Sequence, residues 1–283
     1  MGLSLRRSSL LLLKGKKVLT ERRGHLNLFL YGSSIRFRLP QRATFRRSKR
    51  FVSSTKFSII VPAFHEGERI NDLIESLNRL GSDQNLEIIV VDGCQERDTL
   101  SAIHSNRVIK ISSEQGRAKQ MNAGALVAKG EILIFLHADT ELPLVALRKI
   151  DSLTDRREYV GGAFDLGIKS NKIIFRVIEV LASLRSRLNR IPFGDQAIFI
   201  RKQYFDQIGG YREIPLMEDV ELMRRIKRSE NKIWIFYDRV MTSPRRWEKE
   251  GVIYCTLRDW TLQALYFFGV SPYYLVKYYK AVA

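Results

Sequence analysis

Four carboxylates stand out by position. Asp92 and Asp139 each follow an apolar run of strand length, and Glu218 and Asp219 open a segment with helical spacing. A carboxylate just beyond the end of a buried strand lies where open α/β sheets bind ligands. There it can hold a hard divalent cation that shares its oxygen ligands with a substrate's phosphates. A carboxylate elsewhere in the same cleft can take the proton from an attacking hydroxyl. Asp139 is the sharpest case. Residues 130–143 read GEILIFLHADTELP, in which Ile132, Leu133, Ile134, Phe135 and Leu136 form the continuous β-favouring run of a parallel strand buried on both faces. The run ends in His137, Asp139 and Thr140. A plainer alternative has Asp139 and Thr140 capping the next helix, with Pro143 in its first turn.

Two further groups carry chemistry. In residues 215–225 (PLMEDVELMRR), Glu218 and Asp219 fall at a helix start, where the exposed amides stabilise anions, so capping stands beside general-base catalysis. Arg245, Arg246 and Trp247 follow a late strand in SPRRW. Guanidinium groups grip phosphate oxygens and tryptophan stacks on a ring, although the same composition also makes an ordinary surface loop.

These residues need a scaffold, and the chain supplies a regular one. Residues 56–62 (KFSIIVP) read as a first strand, with His65 and Glu66 just past its end. Ile70, Leu73, Ile74, Leu77 and Leu80 then recur at helical spacing up to Gly81. Residues 86–91 form a second buried strand ending in Asp92-Gly93. This is a βαβ unit with an expected right-handed crossover. Residues 107–112 give a third strand, and 116–129 a helix whose Ala118, Ala123, Gly124 and Ala125 allow close packing on a sheet. On that helix Arg117 and Asn122 are either a solvated face or ligand groups. Beyond residue 143 the pattern becomes mixed: a strand over 160–168, an amphipathic helix over 173–188 with Arg176, Arg185 and Arg187 on its wetter face, a strand over 197–200 after Phe193-Gly194-Asp195-Gln196, and a strand over 233–240. The aromatic C-terminal stretch, 256–279, reads first as core packing, then as membrane contact or an acceptor-site wall.

Composition narrows the classes. The net charge is +18, yet 15 of the 48 basic residues and one of the 30 acidic ones fall in residues 1–56, leaving the rest of the chain nearly neutral. That stretch is rich in Arg, Ser and Leu, and three readings of it stand side by side: a transit peptide for organelle import, a disordered basic arm, or an upstream start. Two cysteines far apart, with no CxxC, argue against a disulfide scaffold or a Cys-based zinc site and fit a reducing compartment. No run of 18 apolar residues exists to cross a membrane. The absence of GxGxxG after the first strand argues against a nicotinamide-binding domain.

Three pieces in register, SIIVPAFHE, IIVVDG and LHADT, resemble the nucleotide-binding half of the family 2 glycosyltransferases with the GT-A fold, the last lying where that family carries its DxD. The wider set GRAKQMNAGA, FLHADTELP, PFGDQAIFI, PLMEDVEL and SPRRWEKEG is similar to the subgroup named for arsenosugar biosynthesis and covers most of residues 57–283. The resemblance implies an α/β fold of GT-A type, with a Rossmann-like, mostly parallel central sheet flanked by helices and followed by C-terminal helices. It implies one domain over 57–283, divided into a nucleotide-binding half (57–143) and an acceptor-binding half (144–283) after the 1–56 tail. It further implies donor contacts from Pro62, Ala63, Glu66, Asp92, Arg117, Asn122, His137, Ala138, Asp139, Arg245 and Arg246. Acceptor contacts fall to Gly162, Phe193, Gly194, Asp195, Gln196 and Trp247. Mg²⁺ or Mn²⁺ is expected on Asp139, with His137 beside it. The family's base lies in an ED pair followed by a leucine and an arginine, here Glu218, Asp219, Leu222 and Arg225, which favours Asp219 over Glu218. Two departures matter: Gly93-Cys94-Gln95-Glu96-Arg97-Asp98 replaces the usual Gly-Ser-Thr-Asp turn, and His137 stands at the first acid of DxD.

The expected activity is therefore inverting, metal-assisted transfer of a sugar from a nucleotide diphosphate to a hydroxyl. The acceptor is a small molecule or a lipid, including a carotenoid, and the enzyme is cytoplasmic or peripheral on a membrane. A nucleic-acid-binding role for the basic stretch ranks low because the folded part is nearly neutral. A nucleotidyltransferase lacks its glycine-rich basic loop here.

Overall fold

The computed structural model describes residues 56–81 and 85–279, together with the backbone of four strands within residues 11–38. The chain divides into two compact units, Met1–Val52 and Ser53–Ala283. In the first, β1 (Leu11–Leu13), β2 (Lys17–Arg22), β3 (His25–Leu30) and β4 (Ser33–Arg38) form an antiparallel meander. Strands thus occupy part of the stretch whose composition pointed to a disordered or targeting tail. The signal lay in the alternation of HLNLFL and SSIRFR and in the two-residue links Arg23-Gly24 and Tyr31-Gly32, a hairpin spacing that charge counting passes over. The rest of residues 1–55 lies outside the described residues.

The second unit is built on an eight-stranded mixed sheet. Its first half is parallel: β5 (Phe57–Ala63) lies between β6 (Leu86–Asp92) and β8 (Ile132–Phe135), and β7 (Val108–Ser112) extends β6. All seven residues of β5 are buried, which explains their unbroken apolar character. Helix α1 (Ile70–Asn78) covers one face with Ile70, Leu73, Ile74 and Leu77, the predicted stripe. A short helix, α2 (Asp98–Ala102), follows β6. On the other face α3 (Arg117–Val127) lies so close that a Cβ at Gly124 would stand 2.5 Å from Ile60 Cγ2. Gln120 of α3 is buried and donates to the carbonyls of Ala63 and Val91 (2.7 and 2.8 Å), tying together the ends of β5 and β6.

After β8 the chain does not enter a helix at Thr140. Instead β9 (Thr140–Glu141) pairs antiparallel with a strand from the far side of the sheet, β12 (Lys232–Thr242), and α4 (Ala146–Asp151) begins later, so the capping alternative for Asp139 does not hold. The far half comprises β10 (Tyr159–Ile168), α5 (Ile173–Asn189), β11 (Phe199–Arg201), α6 (Lys202–Gln207), α7 (Glu218–Arg228) and β12 (Lys232–Thr242). Strand β11 is antiparallel to both β8 and β10, whereas β10 and β12 are parallel. Helices α8 (Arg245–Glu250), α9 (Val252–Phe267) and α10 (Pro272–Leu275) complete the unit, and Arg245–Trp247 are helical rather than a loop.

Two expectations reverse. Helix α5 turns two of its three arginines inward: Arg187 pairs with Asp165 (2.8 Å) and Arg185 lies over the Phe193 ring at 3.3 Å from its centroid, while Arg176 stays exposed. Its aliphatic residues face out. The C-terminal aromatics are not mainly core either, since Trp260, Phe268, Tyr273, Tyr274 and Tyr278 are exposed. No helix among the described residues is long and apolar enough to cross a membrane.

Candidate functional site

The pairing of β9 with β12 brings the ends of β8 and β12 together. Thr140 Oγ1 donates to Thr242 Oγ1 over 3.1 Å, and the Ser243 amide donates to the Asp139 carbonyl over 3.1 Å. Asp139 is thereby placed at the root of α8, which carries Arg245 and Arg246. Arg245 makes a two-pronged ion pair with the buried Glu66 at the end of β5 (2.7 and 3.5 Å), which holds its guanidinium above the ordinary arginine range. Arg246 donates to Asp259 and to the Tyr279 hydroxyl; burial pushes it down, but Tyr279 and Asp259 more than offset this.

From the other side come α3, α7 and the loop before β11. Glu218 and Asp219 are the first two residues of α7, and the structure separates their tasks. Glu218 is 3% exposed and pairs with Arg117 (3.2 Å); burial raises its carboxyl, Arg117 opposes that, and Glu218 raises Arg117 in turn. Its carboxylate is committed to positioning Arg117, which counts against it as a base. Asp219 accepts from the Gly194 amide (2.6 Å) and the Val220 amide (2.7 Å). A Cβ at Gly194 would stand 2.8 Å from His137 Nε2 and 3.5 Å from Asp219 Oδ2, so this glycine lets His137 and Asp219 close in.

The electrostatics mark one cluster. Burial pushes the His137 imidazole down to about 4, Arg117 pushes it further, and Asp139 and Asp219 oppose. His137 is thus neutral at physiological pH, with a ring nitrogen free of a proton. Burial pushes the Asp195 carboxyl up to about 6; Arg185 opposes, while Asp219 and Asp139 add to the rise. Asp139 offers the carboxylate oxygen that Mg²⁺ or Mn²⁺ prefers, and a neutral imidazole at His137 would be a poorer donor for the harder Mg²⁺ than for Mn²⁺.

At the carboxyl ends of β5, β6 and β7 lies a cleft of about 530 Å³ lined by Phe64, His65, Gly93, Cys94, Glu96 and Ser113 among others. Its size suits a nucleoside. Asp92 does not face it. The carboxylate is fully buried and accepts from the amides of Cys94 (2.9 Å) and Leu100 (3.2 Å), so it shapes the loop. The groups the loop presents are His65, Cys94, Glu96 and Asp98. His65 Nδ1 lies 2.7 Å from Asp98 Oδ2, which raises the imidazole and lowers the carboxyl. The potential ligand atoms of His65, Cys94 and Asp98 fall within 4.8 Å of one another, so Cys94, set aside on spacing, is gathered with a histidine and an acid by the fold.

Other expected contacts prove structural. Asn122 pairs with the backbone of Tyr211 in both directions (2.9 Å each). Gln196 is fully buried, donating to the Phe164 carbonyl and accepting from Ser186 and Phe193. A Cβ at Gly162 would meet the Trp234 carbonyl at 2.0 Å, so Gly162 lies inside the sheet and not on an acceptor surface. Pro62, Ala63 and Ala138 are buried and contribute backbone shape. Trp247 packs on Phe175 with ring centroids 5.9 Å apart. Sequence reasoning missed Gln120 and the inward role of Arg185; the one-turn spacing of Arg117 and Gln120 was the available signal for the first.

Comparison with known proteins gives a consistent picture. The family model described as glycosyl transferase family 2 matches residues 58–213. An uncharacterized glycosyltransferase of Haemophilus influenzae is 40% identical over 85 residues, covering 29% of each chain. A dolichol-phosphate mannosyltransferase of Pyrococcus furiosus is 26% identical over 101 residues, covering 34% of this chain and 29% of that one. The aligned stretches thus span under a third of these relatives' lengths. Among solved structures, the mannosyltransferase PcManGT from Pyrobaculum calidifontis in complex with GDP-Man and Mn²⁺ superposes with a TM-score of 0.58 at 19% identity, covering 81% of this chain and 66% of that one. TarS of S. aureus in complex with UDP-GlcNAc gives 0.52 at 18% identity, covering 67% and 58%.

Proposed function

The chain belongs to glycosyl transferase family 2, and from that membership we propose that it moves a sugar from a nucleotide-diphosphate donor to an acceptor hydroxyl with inversion. The observation that carries this reading is the close approach of His137 and Asp219 over Gly194, with Asp139 bonded through its carbonyl to the root of α8. Residues 57–143 supply the nucleotide half and 144–283 the acceptor half.

The cleft at the ends of β5, β6 and β7 takes the nucleoside. Asp139, with His137 as a second donor, would hold Mg²⁺ or Mn²⁺, which would supply positive charge for a diphosphate leaving group. Arg117, Arg245 and Arg246 add positive charge on the same side. Asp219 takes the proton from the acceptor hydroxyl, which attacks the anomeric carbon from the face opposite the leaving group. Its two amide hydrogen bonds fix the carboxylate's direction for that transfer. Asp195 and Arg185 line the acceptor side.

The motifs GRAKQMNAGA and SPRRWEKEG support placing the chain in the subgroup named for arsenosugar biosynthesis. A second reading, a lipid-borne acceptor used by a cytoplasmic enzyme at a membrane surface, is favoured by the exposed aromatics of α9 and α10.

Calorimetric titration of the full chain with a panel of nucleotide sugars, with and without Mn²⁺, tests the donor site. One donor should bind in a metal-dependent way, and Asp139→Asn should abolish that dependence. Binding of no donor, or unchanged metal dependence in the variant, would sink the assignment.

A further inference from the structure

Helix α5 is amphipathic in the wrong sense for a surface helix. Its inner stripe, Phe175, Ile178, Glu179, Ala182 and Ser186, holds the polar groups. Glu179 is 1% exposed, accepts from the Ile168 amide (2.7 Å) and pairs with Arg176 and Arg239. Ser186 donates to Gln196 (2.6 Å), and Arg187 reaches Asp165. The outer stripe repeats the same spacing one face away, with Val177, Val180, Leu181, Leu184 and Leu188, preceded by Ile173 and Ile174, all exposed; Ile173 is 81% and Leu188 76% exposed. A contiguous aliphatic stripe of this kind marks an interaction site.

A second element carries an exposed row of its own and is anchored to the inner face of α5. Phe175 of α5 packs on Trp247, and Val252 at the start of α9 belongs to the same small cluster. One residue further, α9 begins its own exposed row: Ile253, Tyr254, Leu257 and Trp260.

We propose that this inverted α5 face, together with the exposed row of α9, docks the enzyme on a bilayer containing anionic phospholipid. Charge selects that occupant. Glu179 is the only acid of α5 and is buried, and Asp259, the only acid of α9, is paired with Arg246 and Arg258, so neither outer face presents an unpaired carboxylate. The exposed Arg190 stands at the C-terminal end of α5, and Lys172 at its start shares its charge with Glu248 of α8 (3.7 Å). Aliphatic side chains enter the acyl boundary, the basic ends meet phosphates, and Tyr254 and Trp260 suit the interface between them. A second copy meeting through the same face would bring the same lysine and arginine against their own kind. The C-terminal end of α5 leads straight to Asp195, so a lipid acceptor held in that bilayer would emerge at the acceptor side. The docking deepens the lipid-acceptor reading and rests on it only for that last step.

Co-sedimentation of the full chain with phosphatidylcholine vesicles, with and without phosphatidylglycerol, provides the test. Binding should rise with the anionic lipid and fall at least tenfold in Val180→Glu/Leu184→Glu, while Lys172→Glu/Arg190→Glu should lose only the anionic increment. These four positions are exposed, and an unchanged melting curve verifies the fold. Vesicle binding untouched by the α5 substitutions, or lost only when the bases of residues 1–52 are neutralised, would overturn the proposal in favour of the N-terminal stretch. A dimer by light scattering that the same substitutions split, without vesicle binding, would assign the face to a second copy. Donor titration of the same variants keeps the two readings separate, because vesicle docking with no donor binding removes the transferase reading and leaves the docking.

Discussion

The Gly194 amide donates to Asp219 Oδ2 over 2.6 Å, joining the short 3₁₀ turn Gly194–Gln196 to the first turn of α7. One hydrogen bond thus links the loop before β11 to the proposed base. Asp219→Asn preserves the shape and removes the proton acceptor. Turnover should fall by about 10²–10⁴-fold, the usual contribution of a positioned base, with donor affinity by calorimetry unchanged. Equal losses in turnover and donor affinity would instead give Asp219 a binding role.

Asp195 should set the acid limb of the pH profile if it contacts the acceptor as an anion. Burial holds its carboxyl up to about 6, against the pull of Arg185. A raised carboxyl is protonated below that value, so an acceptor contact that needs the anion is lost as pH falls through about 6. The ratio kcat/KM should decline there. Asp195→Asn should remove the limb, and Arg185→Gln, by removing the opposing charge, should move it toward higher pH. A limb that stays in Asp195→Asn belongs to another group.

Glu66 and Arg245 fasten the end of β5 to the start of α8 across 179 residues of sequence. The pair is partly buried and two-pronged, so it is worth more than an exposed ion pair. A double-mutant cycle of Glu66→Gln and Arg245→Gln, read by urea unfolding, should give a coupling of about 1–3 kcal/mol. A coupling near zero would leave Arg245 available to a donor phosphate at no structural cost.

The strands β5, β6 and β8 were legible in the sequence because burial on both faces leaves an unbroken apolar run, and α1 because one-sided burial leaves a stripe. The position of Asp139 past a strand end and of the Glu218-Asp219 pair at a helix start was legible from the pattern, while the preference for Asp219 came from the family resemblance. What was not legible depends on distant partners. The direction of α5 could not be read because a helix with two polar-and-apolar faces has the same periodicity whichever face turns inward; Asp165, Arg239 and Gln196 decide it. Asp92 and Asn122 looked like ligand groups because backbone amides and carbonyls that absorb a side chain leave no trace in residue type. Thr140 looked like a cap because β9 is too short to show alternation.

Gly124 tests how tightly α3 is pressed on the sheet. Replacing an interior helical glycine by alanine ordinarily stabilises by up to about 1 kcal/mol. Here the new Cβ would lie 2.5 Å from Ile60 Cγ2 and 3.1 Å from Val91 Cγ2, both on fully buried residues of neighbouring strands. Neither side chain has room to give, and forcing a methyl into such a core costs about 1–3 kcal/mol. The overpacking should win, so Gly124→Ala should lower the melting temperature. Gly67→Ala is the matched control, because its Cβ would meet Ala102 Cβ at an ordinary 3.4 Å. It should leave the melting temperature nearly unchanged. Since α3 also carries Arg117 and Gln120, a helix pushed off the sheet should weaken donor binding as well, and Gly124→Ala should lose affinity where Gly67→Ala does not. A stabilised Gly124→Ala protein with full donor affinity would mean that α3 sits further from β5 than 2.5 Å implies.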